Sequence, residues 1–430
     1  MTQTSSRKPE ILCIGFGALG TVYSYLLSRG SASITAVARS NYTCLTTTGI
    51  HISSSKYGEI PNWKPNRTIR EAEPHLAQDR IYDFVVCTFK NVPDHKAASS
   101  IIRPFLKNNN NNNKDDKAES NQAETKLPTI VLLQNGVGIE EEVMRNLVET
   151  EKEQDRVASG VISAVAWIGA NLAEQGTKVM HGTLERLEMG VYPRSSAKIL
   201  PDGRRQVSAE EQAALDNFTS IYTNGGGGGR AVEDVEAIRW QKVLWNASWG
   251  GISTLARQPV STLLQEDTLH YSVGVVRRIM LEIVYVARSC GLGEQRFPIS
   301  SVDDAITITL STSSVPSVND PTKGGNLAGD FKPSILLDLE NGRPMELEPI
   351  IGNVVRKARE KGVDTPRLDL ILAALKPCQM IAVSKVNEKE QIKEGEGKGE
   401  GVTKFSDLTA TSRGNWPEGA PVSRDSKTYL

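Results

Sequence analysis

The stretch from residue 10 to residue 20, EILCIGFGALG, constrains the fold of this chain more than any other. Four consecutive apolar residues precede the pattern Gly15-x-Gly17-x-x-Gly20. Such a run is too short for a helix and too continuous for a half-exposed strand, so it predicts a central strand of a covered parallel sheet. Gly15 would allow the tight turn, Gly17 a close backbone approach to a phosphate, and Gly20 the packing of a helix at 18–28 on the sheet.

The surroundings of these glycines favour a dinucleotide site. A second apolar strand is predicted at 33–38, at the spacing of a βαβ unit, and the N-terminus of the helix offers unpaired N–H groups to phosphates. A bare glycine pattern is weak support in a chain with 36 glycines. A glycine-rich turn that binds no ligand therefore stays open as the alternative.

The end of the second strand indicates which cofactor binds. NAD-binding units usually place an acid there to hold the ribose 2′-hydroxyl, but this chain has Val37-Ala38-Arg39-Ser40 with no acid nearby. Because a guanidinium suits a 2′-phosphate, Arg39 predicts NADPH rather than NADH. The alternative is that Arg39 is only a solvated loop residue.

Length and composition set the broad class. With 430 residues the chain exceeds one ordinary core, which predicts two domains with appended segments. The balance of 50 basic and 51 acidic residues gives no reason to expect a nucleic acid or an anionic membrane as partner. The sequence has no long apolar run, no secretory signal pattern and no CxxC spacing among its five cysteines, so we expect a cytoplasmic protein without a transmembrane helix.

The chain changes from strand-rich to helical patterns near residue 230. The predicted buried strands are 82–88, 129–133 and 157–166. A β-rich excursion is predicted at 49–65, and a hairpin or meander at the edge of the sheet is predicted over 178–191. The predicted helices are 232–253, 268–290, 332–339 and 346–361. The expected domains are thus 1–230, with a disordered asparagine-rich insertion at about 107–127 and a glycine-rich linker at 224–230, then 231–382, then a disordered tail at 383–430.

Two polar residues follow buried strands, where ligands lie in a doubly wound sheet. Lys90 would lie near a cofactor phosphate or ribose, although a lysine at a strand end is usually only a solvated charge. Asn135, in Gln134-Asn135-Gly136, could offer its amide to the nicotinamide side of a dinucleotide, although Asn-Gly commonly marks only a turn.

The helix at 232–253 carries Lys242 and Asn246 four residues apart, hence on one face. Its three tryptophans could bury that face at a domain junction and so tune the pKa of the lysine. By themselves these residues favour the alternative of a snorkelling surface lysine. Ser334 likewise resembles a helix N-cap, and Glu346 an acid at a helix start, so neither argues for catalysis alone.

In order along the chain, these motifs resemble those of the ketopantoate reductases (2-dehydropantoate 2-reductases). The ordered set is the glycine pattern, the lysine after strand 82–88, Gln134-Asn135-Gly136, Trp240-Gln241-Lys242-x-x-x-Asn246, Ser334-x-x-x-Asp338 and Glu346. No single motif is specific, but the ordered set is, and it covers roughly residues 11–375.

The resemblance implies an α/β protein with an N-terminal Rossmann-type doubly wound sheet, an all-helical C-terminal domain, and a cleft that binds NADPH and a 2-oxo acid. It implies Lys242 as the proton donor, with Asn246 and Ser334 contacting the substrate and no metal required. The implied reaction reduces a 2-oxo acid to a 2-hydroxy acid, foremost ketopantoate to pantoate for pantothenate biosynthesis. The cofactor-binding positions expected are Gly15, Phe16, Gly17, Ala18, Leu19, Gly20, Arg39, Lys90, Asn135, Ala170 and Glu346.

One departure leaves the substrate open. Gly250 stands where the family usually carries a second asparagine on the helix, so one polar substrate contact is missing. The alternatives are a reductase of another 2-oxo acid and a non-catalytic NADPH-binding protein of the same fold. A dehydrogenase of the 6-phosphogluconate or 3-hydroxy acid type shares the layout, but the motifs at 134–136 and 334–346 favour the reductase. A homodimer is compatible with the sequence, which does not reveal the oligomeric state.

Overall fold

The computed structural model describes residues 7–107, 126–313 and 331–394. In its first half, strands and helices follow one another as β1 (Glu10–Ile14), α1 (Ala18–Arg29), β2 (Ser33–Ala38), α2 (Tyr42–Thr46), β3 (Ile50–Ser54), β4 (Gly58–Trp63), β5 (Arg67–Arg70), β6 (Phe84–Cys87), α3 (Ala98–Ile102), β7 (Thr129–Leu132), α4 (Ile139–Val143), β8 (Gly160–Ala173), β9 (Lys178–Tyr192), α5 (Ala209–Asn224) and β10 (Gly229–Ala231). The second half consists of α6 (Val235–Ala256), α7 (Val260–Leu263), α8 (Glu266–Ser289), α9 (Ser300–Ser313), α10 (Ser334–Glu340), α11 (Asn353–Lys361) and α12 (Pro366–Glu394).

The strands form one sheet in the order β4-β3-β9-β8-β7-β6-β1-β2-β5, with β10 added on β9. From β5 to β8 all neighbours are parallel. Chain order reverses between β1 and β6, so α1 and α3 contribute to apolar clusters on opposite faces of the sheet. These clusters leave residues 11–14 of β1 at most 1% exposed. The Rossmann-type sheet with a helical C-terminal region is confirmed, and its switch point is the place where such folds bind ligands.

The far end of the sheet differs from the prediction. β9 is a single strand of 15 residues rather than a hairpin at the edge. It is antiparallel to β8 and parallel to β3, so it lies inside the sheet. The edge prediction was wrong because the β3–β4 hairpin returns to cover β9, and that long-range pairing leaves no local trace in the segment 178–191.

The glycine-rich segment 224–230 is closely packed. A Cβ on Gly225 would lie 1.8 Å from the carbonyl oxygen of Leu26, and one on Gly227 would lie 2.5 Å from the Tyr222 ring. Gly229 begins β10, which pairs with β9. The glycines at these positions therefore allow the chain to pass close to α1 and α5 on its way to α6.

The second half packs around α6. Trp240 and Trp249 of this helix are at most 2% exposed and belong to one apolar cluster with residues of α8, α10, α11 and α12. The described residues up to Val383 belong to one compact unit, and a second unit starts at Ser384. Among the described residues, no helix combines the length and the apolar character that a membrane crossing requires.

Several boundaries also differ from the predictions. α12 continues to Glu394, although no fixed structure was expected from about residue 382. α5 and α9 were not predicted at all. The insertion at 108–125 and the tail from 395 lie outside the described residues. The extension of α12 arises because the EKEQIKE segment, taken as a polar tail, consists largely of good helix formers.

Candidate active site

The glycine turn between β1 and α1 has the geometry that its sequence predicted. Gly15 has φ +94°, and a Cβ there would lie 2.2 Å from the backbone nitrogen of Phe89. A Cβ on Gly20 would lie 2.5 Å from the Gly15 carbonyl oxygen. Apart from Gly17 itself and its two chain neighbours, no described residue places a heavy atom within 4 Å of the Cβ position of Gly17, so space is open beside the start of α1. This combination fits the approach of a dinucleotide phosphate.

The Phe16 ring in the glycine turn is packed against another aromatic ring. Its ring stacks on Trp63 of β4, with centroids 6.1 Å apart and planes 7° from parallel. The Asn41 side chain donates a hydrogen bond of 2.7 Å to the Phe16 carbonyl oxygen. The turn is therefore held by its neighbours before any ligand enters.

Arg39 follows β2 and its side chain is 73% exposed. Its Nε lies 3.9 Å from Oε2 of Glu71, an acid that the sequence analysis did not associate with it. Glu71 comes close because β5 pairs with β2 and the Glu71 N–H donates to the Ala38 carbonyl oxygen. An exposed pair at this distance is weak, so the guanidinium can turn toward a 2′-phosphate.

Glu346 joins the carboxyl ends of β6 and β7 to the helical half. Its carboxylate accepts 2.9 Å from Asn135 Nδ2 and 3.1 Å from the Asn91 N–H. The residue is buried, and burial raises the pKa of Glu346 while these two hydrogen bonds oppose the rise. The structure thus brings together two residues, Asn135 and Glu346, that are 211 positions apart.

Lys90 also contacts the helical half. Its ammonium donates to Oδ1 of the buried Asp338 in α10, which accepts in addition from Arg343 Nε at 3.2 Å. The side chain of Lys90 remains 45% exposed. Lys90 is therefore at the strand end where a ligand was expected, and a carboxylate of the second half holds it there.

Lys242 of α6 contacts the middle of β8. Its ammonium donates to the Ala166 carbonyl oxygen and lies 5.5 Å from the centroid of the Trp167 ring. Burial lowers the pKa of Lys242 to about 8, helped by the positive charge of Arg239 and opposed by Glu346. A lysine of this kind is protonated at neutral pH but gives up its proton more readily than an exposed one.

The expected substrate contacts lie on adjoining helices. Asn246 is partly buried, one helical turn beyond Lys242 on α6. Ser334 is the exposed first residue of α10, whereas Pro333 occupies the N-cap position and no side chain caps the helix. The N-cap interpretation of Ser334 was therefore wrong. A Cβ on Gly250 would lie 3.7 Å from both Pro333 and Ile335, so this glycine lies directly against the start of α10.

Two positions stand apart from this cluster in different ways. Ala170 lies beyond a register irregularity in β8 and faces His181 of β9, and its predicted contact with a cofactor stays a prediction. Arg239, which the sequence analysis missed, is buried one turn before Lys242 and bonds to the end of β7 and to the middle of β8. Its signal was an arginine on the apolar side of a tryptophan-rich helix.

Comparison with known proteins identifies the family of this chain. Residues 11–194 match the family model "Ketopantoate reductase PanE/ApbA", and residues 234–379 match its C-terminal counterpart. An uncharacterized protein of Saccharomyces cerevisiae is 29% identical over 413 residues, which is 94% of this chain and 98% of that protein.

Solved structures agree on the fold. The 2-dehydropantoate 2-reductase of Methylococcus capsulatus is 27% identical with a TM-score of 0.63, over 87% of this chain and 97% of that one. A D-mandelate dehydrogenase with NADH and anilino(oxo)acetate has a TM-score of 0.63 over 87% of this chain and 99% of that one, and at 16% identity this is a likeness of fold. The chain belongs to the ketopantoate reductase family.

Proposed function

We propose that this protein is an NADPH-dependent reductase that converts a 2-oxo acid into a 2-hydroxy acid, with ketopantoate as the foremost substrate. The observation that carries the proposal is the position of Lys242, which is bonded to the middle of β8 and whose pKa is lowered to about 8. Family membership supports the same reaction class.

The chemistry of the reaction explains why such a lysine is needed. The cofactor supplies a hydride to the ketone carbon when it is bound. The carbonyl oxygen then gains negative charge, which requires a nearby positive charge and a proton. Lys242 supplies both, because its ammonium is charged at neutral pH and its lowered pKa eases proton transfer.

The remaining predicted residues have binding roles in this proposal. Asn246 lies on the same helix face as Lys242 and contacts the substrate, while the exposed Ser334 hydroxyl at the start of α10 receives its carboxylate. Asn135, oriented by Glu346, and Lys90 contact the cofactor. The glycine turn receives the pyrophosphate, and Arg39 reads the 2′-phosphate.

The second candidate is a reductase of a different 2-oxo acid, and Gly250 favours it. A larger polar side chain at this position would add a contact with the substrate. The glycine instead allows the start of α10 to pack directly on α6. The third candidate is a protein that binds NADPH without turnover. The retained, partly buried Lys242 argues against it.

The deciding experiment measures NADPH oxidation with a panel of 2-oxo acids that includes ketopantoate and an aromatic 2-oxo acid. Saturable turnover of ketopantoate above all others is the expected result. A preference for another 2-oxo acid would show that ketopantoate is not the main substrate, and the proposed reaction type would still hold. NADPH binding without turnover of any acid would overturn the reductase proposal.

Assembly and location belong to the same proposal. We expect a cytoplasmic enzyme and a homodimer. Sedimentation of the full chain at several concentrations would test the dimer, and a single species of monomer mass at every concentration would exclude it. Imaging of the tagged protein in cells would test the compartment.

A further inference from the structure

Arg239 is the most extensively bonded side chain near the candidate site. It lies in α6, three residues before Lys242, and is only 4% exposed. Its guanidinium donates to Gln134 O at 2.8 Å, Gly136 O at 3.1 Å, Leu132 O at 3.1 Å, Ala164 O at 3.3 Å and Ser163 Oγ at 2.5 Å. Every nitrogen of the fork is thus engaged.

A buried carboxylate completes this arrangement. Glu140 at the start of α4 places Oε1 2.5 Å from Arg239 Nε, and the Ser163 hydroxyl donates to the same oxygen at 2.6 Å. Both charged residues are at most 4% exposed. A buried ion pair is weak support for stability, because well-packed apolar residues often serve as well. Its presence next to Lys242 therefore calls for another explanation.

The acceptors of Arg239 lie at and just beyond the end of β7 and within β8, next to the residues of the candidate site. Its bonds to Gln134 and Gly136 flank Asn135, the residue that binds Glu346. On β8 its acceptor Ala164 lies two residues before Ala166, the acceptor of Lys242. Arg239 and Lys242 project from one face of α6, so two adjacent cations dock this helix on β8.

We propose that Arg239, paired with Glu140, is a positioning residue that fixes α6 on the end of β7 and the middle of β8 and thereby sets the place and the charge environment of the Lys242 ammonium. This proposal rests on the proposed reductase function. Arg239 itself touches neither substrate nor cofactor in this account, since its donors are all taken by protein acceptors.

The charged groups around Lys242 determine the direction in which its pKa moves when Arg239 is replaced. Arg239 on the same helix lowers the pKa of Lys242, and Glu346 raises it. On the strand side lie the charged groups around Trp167, namely Arg186 over its ring, Glu188 accepting from its Nε1, and Arg230 bonded to Glu188. Removing the charge of Arg239 alone leaves the others in place, so Lys242 should hold its proton to higher pH.

Three variants separate charge from anchoring. Arg239→Gln removes the charge, Arg239→Lys keeps the charge but cannot span all the acceptors, and Glu140→Gln breaks the ion pair while leaving the guanidinium on its carbonyls. The basic limb is the fall of kcat/KM at high pH. For Arg239→Gln we expect this fall to begin at a pH higher by about half a unit or more. For Arg239→Lys we expect the limb to stay and kcat to fall about tenfold or more. Glu140→Gln is expected to lower Tm and leave the limb unchanged.

The measurements are pH profiles with the best 2-oxo acid, NADPH affinity and Tm for each variant. NADPH affinity should fall less than kcat, because Asn135 lies between two acceptors of Arg239 whereas the glycine turn and Arg39 do not contact it. An unchanged limb in Arg239→Gln, or a kcat within about twofold of wild type in Arg239→Lys, would overturn the proposal. If Arg239→Gln does not fold, the kcat of Arg239→Lys decides.

A readout without turnover separates this proposal from the proposed function. The Lys242 ammonium can be titrated by NMR in protein carrying ¹³C-labelled lysine, with the signal identified by its loss in Lys242→Arg. A wild type that reduces no 2-oxo acid would end the reductase proposal. In that case a higher pKa of Lys242 in Arg239→Gln would still support the coupling, and an unchanged one would refute it.

Discussion

The two ends of the candidate site are built in opposite ways. At the nucleotide end, Gly17 faces open space and the Arg39 side chain is 73% exposed, with its Nε 3.9 Å from the Glu71 carboxylate. At the reaction end, Glu346 and Arg239 are buried, and each has several protein partners. The binding groups at the nucleotide end are exposed, whereas those at the reaction end are held in place by other residues.

This difference has a physical reason. Binding a dinucleotide requires free N–H groups and a free positive charge, which water can solvate until the ligand arrives. Proton transfer instead requires a group with a tuned pKa and a fixed position, and both come from burial and from bonded neighbours. Substitutions at the two ends should therefore alter different measured quantities.

The largest expected effect is at the reaction end. Lys242→Ala should lower kcat by roughly 100-fold or more, because the general acid is lost, while NADPH affinity stays nearly constant. Lys242→Arg should recover little, since a guanidinium keeps its proton near neutral pH. Stopped-flow turnover and fluorescence titration of NADPH measure the two quantities. Turnover of the alanine variant near that of wild type would remove Lys242 from the mechanism.

A smaller effect is expected at the nucleotide end. Arg39→Asp should weaken NADPH binding by roughly 10- to 100-fold, because a charge-assisted contact contributes about 1.5 to 3 kcal/mol, and should affect NADH far less. Arg278→Asp, at an exposed arginine of α8, is the matched control and should leave both affinities unchanged. Equal losses for both cofactors in Arg39→Asp would show that this arginine does not read the 2′-phosphate.

The pH dependence tests the reaction end without a substitution. The folded-state pKa of Lys242 is lowered from 10.5 to about 8, and the proton donor must be protonated. The value of kcat/KM should therefore be constant on the acidic side of pH 8 and fall about tenfold per pH unit above it. A profile that stays flat to pH 10 would contradict the lowered pKa, provided that Tm shows the protein folded throughout.

The smallest effect is expected outside both ends. Deleting Asn108 to Asn113 should leave Tm and NADPH affinity nearly unchanged, because a run of asparagine offers no apolar surface to a core. Differential scanning fluorimetry and the same NADPH titration would measure this. A large loss in either quantity would mean that the run belongs to a structured element.

The sequence by itself determined what depends on near neighbours in the chain. The apolar run, the glycines and the following helix of the βαβ unit lie within about thirty residues, and β2 was predicted with its observed bounds, Ser33–Ala38. Lys242 and Asn246 share a helix face for the same local reason. The ordered motifs also indicated the family, because the order in which they occur along the chain is itself a pattern.

Tertiary structure decided the contacts between distant segments. Nothing near Glu346 in the chain indicates that it meets Asn135 and Asn91, and nothing near Arg39 indicates Glu71. The interior place of β9 and the bonds of Arg239 to β7 and β8 depend likewise on which strands pair. The physical reason is that pKa and position at a site depend on burial and on neighbours in space, which only the folded chain brings together.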